Sequence, residues 1–386
     1  MKRSLTPLLV VAICFATPCA SVTPAAWSVF KHDNRRSGRT ATVGPQTLTV
    51  KWTHRLHAFG IQSPQAIGRN GTIYTGSVRG MFYAFRPNGS IRWKLNLGKH
   101  QITAAPAIAR DGTIYIAAED GILHALTPHG LPKWTFALEG YAGPSSRPAI
   151  GTDGTIYVGA LKFYAINPDG TLQWSYTPDF YLTGPAAIAD DGTLYFPSTD
   201  YLYAVNADGS LKWRSPGHGD YPLGSAPAIG KDGTIYVNTY HGTLHAYRPD
   251  GSFAWKFDTP GIVTDVPSSP AVAKDGTIYF GGGGEYQGNG GYFYAVHPDG
   301  SLKWNYFAGC GQTAPTIGGD GTIYFGSDWC GAIHALKPNG TGKWTYSNIF
   351  DYARTAPVID ADGNLYAGLL GGPEGTDQGG LIAFAP

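Results

Sequence analysis

One short pattern recurs along the whole chain, and a fixed period restricts the fold more than any composition does. An Asn-Gly or Asp-Gly turn followed by a short apolar run begins at Asn70, Asp111, Asp153, Asp191, Asp232, Asp275, Asp320 and Asp362, eight copies in 386 residues. A Trp closes each unit, at Trp52, Trp93, Trp134, Trp174, Trp213, Trp255, Trp304 and Trp344, at intervals of 39 to 42 residues with a single interval of 49.

The second unit shows what each copy contains. Ala105 to Ala109, Thr113 to Ala117, Ile122 to Leu126 and Lys133 to Phe136 read as four strands, with Asp111-Gly112 between the first two and Pro128-His129-Gly130 between the last two. No unit has room for a helix of ordinary length. Four antiparallel strands in a unit of this size make a propeller blade. The first strand is built from small residues, such as Pro106-Ala107-Ile108 and Pro227-Ala228-Ile229, as strands crowded around an axis require. Tyr115 alternates with Ile114 and Ile116, so both faces of a blade carry apolar groups for its two neighbours. The ends predict the closure: Leu48 to Trp52 is a fourth strand without a blade, and Leu381 to Phe384 is a third strand without a successor. Joined, they complete one blade and remove a free sheet edge. The predicted fold is an all-β, eight-bladed propeller over residues 48–386, closed by the N-terminal strand around Trp52.

Ahead of it, residues 1–26 have the layout of a signal peptide, basic at Lys2 and Arg3, apolar from Leu8 to Ala16, then small, with cleavage expected between about 20 and 26. The apolar run is too short to span a membrane, and no Leu-rich box precedes Cys19, so no lipid attachment is expected. Residues 27–47 form an N-terminal lead-in to the propeller. The expected location is periplasmic or extracellular, as a monomer. A net charge of +1 spread through the chain argues against a nucleic-acid partner. Removal of the leader leaves Cys310 and Cys330, each ten residues from Asp320 on either side of one hairpin turn. Equal distance from the turn places them opposite each other, which predicts a disulfide.

The unit resembles the repeat of the pyrroloquinoline quinone (PQQ)-like β-propellers, a superfamily of eight-bladed exported proteins, and Trp27 to Thr40 resembles the motif that precedes the first blade there. The resemblance covers roughly residues 27 to 386. One branch, the quinoprotein dehydrogenases, implies a quinone held against a Trp and a disulfide of neighbouring cysteines, with Ca²⁺ on acidic and amide side chains. This sequence has no adjacent cysteines. The other branch resembles the outer-membrane protein assembly factor, a non-catalytic scaffold of similar length, which is a lipoprotein.

Function is sought on the face formed by the blade junctions and the second-to-third loops, because the opposite face is uniform Asp-Gly turns. Over four consecutive junctions His100, Tyr141, Tyr181 and Asp220, with Tyr221 beside it, form an arc, while Asp351, Tyr352 and Arg354 form a smaller group elsewhere. The residue before the Pro that opens each inner strand is small in every unit but one, where it is Arg147. Rings, carboxylates and an Arg suit a carbohydrate or another polar ligand. The alternative is that the tyrosines pack between loops and Arg147 pairs with an acid such as Asp179. His124, His245 and His334 occupy the third-strand position that holds Tyr83, Tyr164, Tyr203 and Tyr294 elsewhere, so they read as packing residues, and no metal is predicted. The Gly-rich stretches 281–291 and 371–380 are extended loops on the variable face, and the first leads into a strand, unlike a phosphate loop.

Three functions follow: a non-catalytic binding or scaffold protein for a protein or glycan on the variable face, a quinoprotein oxidoreductase using PQQ and Ca²⁺, and a polysaccharide lyase or hydrolase. The first is the principal expectation, with no cofactor predicted.

Overall fold

The computed structural model describes residues 27–386 apart from 57–59, 142, 219–222, 260–267, 283–290, 329, 349–350 and 372–378. Each turn is built by its own side chains. In the second unit Asp111 Oδ1 accepts from Thr113 N at 2.9 Å, Oδ2 accepts from Thr113 Oγ1 at 2.8 Å, and Gly112 takes φ +88°. That conformation is open to Gly at no steric cost, which is why Gly follows the Asp or Asn in every copy.

The hairpins assemble into eight sheets, seven of them four-stranded in chain order. Blades one to eight start at inner strands Ala66–Ile67, Ala107–Ile108, Ala149–Ile150, Ala187–Ile188, Ala228–Ile229, Ala271–Val272, Thr316–Ile317 and Val358–Ile359. Blade eight continues with Leu365–Gly371 and Gly380–Phe384, and Val50–Arg55 pairs antiparallel with the last of these, Thr53 opposite Ile382. The ring is therefore closed by strands from the two ends of the chain. Inner strands are shorter than the sequence suggests: two residues, not five, in blade two. Pro106 stands directly before that strand and has no N–H to give to a ladder.

Alternate residues of one strand serve two cores. Ile114 and Ile116 pack with Tyr74, Phe82 and Ile102 toward blade one, whereas Tyr115 and Ala117 pack with Val158 and Tyr164 toward blade three. The repeating Trp couples blade to blade. Seven of the eight donate Nε1–H to a turn carbonyl of the next blade, as Trp52 does to Pro87 O, Trp134 to Pro168 O and Trp213 to Pro249 O, each at 2.9 Å. The turn Gly lies under the indole: a Cβ on Gly170 would meet the Trp134 ring at 2.7 Å. Trp344 has no next third-to-fourth turn, and donates to Pro45 O of the lead-in segment at 3.1 Å.

The lead-in does more than introduce the first blade. Inner-strand N–H groups of Ile67, Ile108, Ile188, Ile229, Val272 and Ile317 donate in turn to the carbonyls of Trp27, Ser28, Asn34, Arg35, Ser37 and Gly38, at 2.7 to 2.9 Å. Blade three accepts instead, with Asn34 Nδ2 donating to Ile150 O at 2.8 Å. Residues 27–38 thus circle the axis on the Asp-Gly side, giving the inner edges of seven blades the partner that an edge strand lacks. To make this circuit Lys31, His32 and Arg36 adopt φ +62°, +75° and +56°, which is costly for residues with a Cβ. The sequence motif resembling a lead-in is a belt.

Cys310 and Cys330 are bonded, with Cα atoms 5.6 Å apart. The bond ties the junction leaving blade six to the second-to-third loop of blade seven, beyond the strand pairs Thr316–Ile317 and Ile323–Ser327. Among the described residues no helix is long and apolar enough to cross a membrane.

Candidate functional site

The small residues before each inner-strand Pro leave a hole on the axis, and the belt fills it. Phe30 inserts among Ala105, Ala226, Ala314 and Ala356, so the channel is sealed at the junction face. Over this ring lies the one large residue of the set: the Arg147 guanidinium carbon sits 4.2 Å from the Phe30 centroid, a cation–π contact. On the belt, Arg36 also approaches Phe30, at 5.7 Å, and donates to Phe30 O, Ala186 O and Pro148 O.

The expected pairing of Arg147 with Asp179 is corrected. Asp179 is ion-paired with Arg214, which reaches it from the outer strand of blade four, while Arg147 turns inward to the axis. Its Nε is cut off from solvent and has no hydrogen-bond partner. Burial lowers Arg147 to about 10, partly offset by Tyr240 on a loop of blade five, and burial with repulsion from Arg147 lowers Arg36 to about 9. Both guanidiniums remain charged at neutral pH. Burial also depresses the Lys31 amine, which donates to Pro315 O at 2.6 Å.

Further out, Tyr141 and Tyr181 stand 60% and 73% exposed, the most accessible aromatic rings among the described residues. The Tyr181 backbone is fixed, its carbonyl accepting from Thr199 N at 2.9 Å, so the ring projects from an anchored loop. Tyr141 lies against Glu119, and partial burial with that carboxylate raises its hydroxyl pKa. Glu119 also accepts from Thr103 Oγ1 at 2.8 Å. Phe180 adds a third ring, 41% exposed and stacked obliquely on Tyr201 at 5.8 Å. His100 is exposed at the preceding junction. Asp220 and Tyr221 lie outside the described residues, as do most of the two Gly-rich loops.

Arg354 Nε donates to Asp328 Oδ1 at 2.7 Å, Tyr352 is buried, and Asp351–Tyr352 forms a short strand on Leu370 and Gly371. The histidines hold the expected third-strand positions, His124 opposite Ile116, His245 opposite Val237 and His334 opposite Phe325. His334 is pushed down to about 4 by burial. Among the described residues no three His, Cys, Asp or Glu side chains gather as metal ligands. The disulfide joins residues 20 apart and does not fit the adjacent-cysteine bond that a quinoprotein site implies.

Sequence reasoning missed Phe30, Glu119, Phe180 and Tyr240. A signal existed for Phe30, because a ring of small residues implies a filler. None existed for Glu119 or Tyr240, whose loops reach the face only through the closed ring.

Comparison with known proteins agrees with this architecture. The sequence model of a family described as outer membrane protein assembly factor BamB matches residues 36–184 and 198–368. No curated protein sequence matches. Among solved structures, BamB from Moraxella catarrhalis is similar with a TM-score of 0.67 at 18% identity, over 87% of this chain and 99% of that one. Quinohemoprotein alcohol dehydrogenase from Comamonas testosteroni is similar with a TM-score of 0.74 at 12% identity, over 94% of this chain and 80% of that one. The C-terminal WD40 domain of Sif2 gives a TM-score of 0.70 at 15% identity, over 88% of this chain and 99% of that one. Likeness at these identities shows the fold, which proteins of different activity share.

Proposed function

Because the chain belongs to the family of the outer membrane protein assembly factor BamB, we propose that it is an exported, non-catalytic binding protein that holds a glycan or protein ligand on its junction face. The observation that carries this reading is the exposure of Tyr141, Phe180 and Tyr181 on one arc of that face, above an axis sealed by Phe30. A sealed axis makes a cup, and exposed rings on anchored loops are the means by which a cup holds a ligand. The non-catalytic part is supported, among the described residues of this arc, by carboxylates that already have partners: Glu139 pairs with Lys162, Asp179 with Arg214, and Glu119 accepts from Thr103. Export is supported by the signal-peptide layout of residues 1–26.

Glycan is favoured over protein by the surroundings of the rings. Ion pairs and hydroxyl groups separate them, whereas the centre of a protein interface is contiguous and apolar. Affinity electrophoresis of the mature protein through a panel of polysaccharides, with analysis of the recovered sugars, tests the proposal. Retention without new products is the expected result, weakened by Tyr181→Ala. Products whose release is lost in Tyr181→Ala would make it a polysaccharide-cleaving enzyme. Saturable thermal stabilisation by PQQ with Ca²⁺ would make it a quinoprotein. Failure to retain any polysaccharide or capture an envelope protein would remove the binding reading.

A further inference from the structure

Resting on that reading, we propose that the axial mouth of the junction face is an anion subsite, in which Arg147, lying on Phe30, receives the carboxylate of an acidic sugar. The geometry sets the requirement. The Arg147 guanidinium lies over an aromatic face and a ring of alanines, neither of which carries a countercharge. Its Nε makes no hydrogen bond and is closed to solvent. Arg147 is half-buried and no carboxylate among the described residues acts on it, and a partly desolvated cation without a counter-ion costs more than a paired one, so an arriving anion is favoured by the charge it neutralises.

A second observation points the same way. Arg36 lies on the other approach to Phe30, and its three acceptors are all backbone carbonyls. Two guanidiniums therefore share one apolar plug, and the Arg147 charge opposes that of Arg36. Aligned cations behind a narrow mouth focus positive potential on that mouth. The two terminal nitrogens of Arg147, which unlike Nε are not shut off from solvent, offer the planar fork that matches a carboxylate.

The class of ligand comes from joining this subsite to the rim. Arg147 and Tyr141 lie on the same junction, separated by the short 3-10 helix Pro144–Ser146. Along that junction a ligand meets a ring at the rim and a cation at the axis. A sugar residue that carries both an apolar face and a carboxylate, a uronate, has the matching pair of features. Arg147 is a specificity residue in this scheme, because neutral sugars retain the ring contacts alone.

The test compares tetragalacturonate with its methyl ester, the same sugar without charge, on the mature protein by calorimetry. The wild type is expected to prefer the acid by about tenfold or more, the range of one charge-assisted contact. In Arg147→Met the preference should vanish while weak binding of both probes persists, and Tyr181→Ala should weaken both probes alike. Without ligand, Arg147→Met should melt at the same temperature as the wild type or higher, since it removes a half-buried charge that has no carboxylate partner among the described residues. Equal binding of acid and ester by the wild type, or a preference that survives Arg147→Met, overturns the anion subsite and leaves the binding face standing. A lower melting temperature for Arg147→Met overturns it as well, by giving Arg147 a structural countercharge. Binding of neither sugar, with tetraglutamate bound through Arg147, overturns the acidic-sugar assignment in favour of a peptide partner.

Discussion

The two faces of the ring carry different duties. On the turn face seven of the eight units repeat one device: the Asp or Asn of the turn accepts from the residue two ahead, as Asp153 does from Thr155 and Asn70 from Thr72, and a Trp docks on the adjoining turn, as Trp174 does on Ala207 O. On the junction face the same geometric positions hold His100, Tyr141 and Tyr181, and a small residue or Arg147 at the axis. The repetition shows where the fold is under constraint, because each blade must meet the next in the same way. The variation shows where it is not. Side chains released from that duty are the ones open to a ligand.

The largest effect should come from the point where the contrast breaks down, the axial plug. Phe30→Ala empties a fully enclosed site, and a loss of about 3–5 kcal/mol is expected by denaturant unfolding. Hydrogen exchange should show the inner-strand amides of Ile108, Ile188 and Ile229 losing protection with it, since they donate to the belt. A loss below about 1 kcal/mol would show that the strand closure alone holds the ring.

Next is the staple on the variable side. Cys310→Ser should cost about 2–4 kcal/mol, the usual range for a loop of this length. Its effect on exchange should be confined to the blade six–seven junction. Uniform deprotection around the ring would mean that the two faces are not separable.

Third, His334 tests whether a core position is distinct from a site. Folded, it is neutral down to about 4, whereas unfolded it protonates near 6.5. Its contribution is present above 6.5 and is lost as pH falls toward 4, by at most about 3 kcal/mol. His334→Tyr, the residue found at this register in other blades, should flatten the acid limb of the stability curve. An unchanged limb would contradict the burial argument.

Much of this was legible in the sequence. Turn, strand and Trp recur with enough fidelity to fix blade number and closure, and two cysteines equidistant from Asp320 gave a bond. What the sequence concealed was the partner of each repeated feature. Trp134 reads as an apolar residue on a fourth strand; only the closed ring shows Pro168 O as its acceptor. Arg147 stood out as an exception among small residues, but its contact, Phe30, lies 117 positions earlier in a segment with no repeat to compare against. Junction loops are set by ring geometry rather than by local periodicity, so Glu119 and Tyr240 gave no sign.

The claim that folding and binding are divided between the faces is tested most directly by measuring two variants side by side. Asp232→Ala removes the acceptor of two turn bonds, from Thr234 N and Thr234 Oγ1, on the uniform face. Tyr181→Ala removes an exposed ring on the variable one. Melting temperature and retention on the polysaccharide that holds the wild type are recorded for each. Asp232→Ala should lose about 1 kcal/mol of stability with retention unchanged, and Tyr181→Ala should lose retention with stability within about 0.5 kcal/mol of the wild type. The reverse pattern, or Tyr181→Ala destabilised with retention intact, would contradict the division.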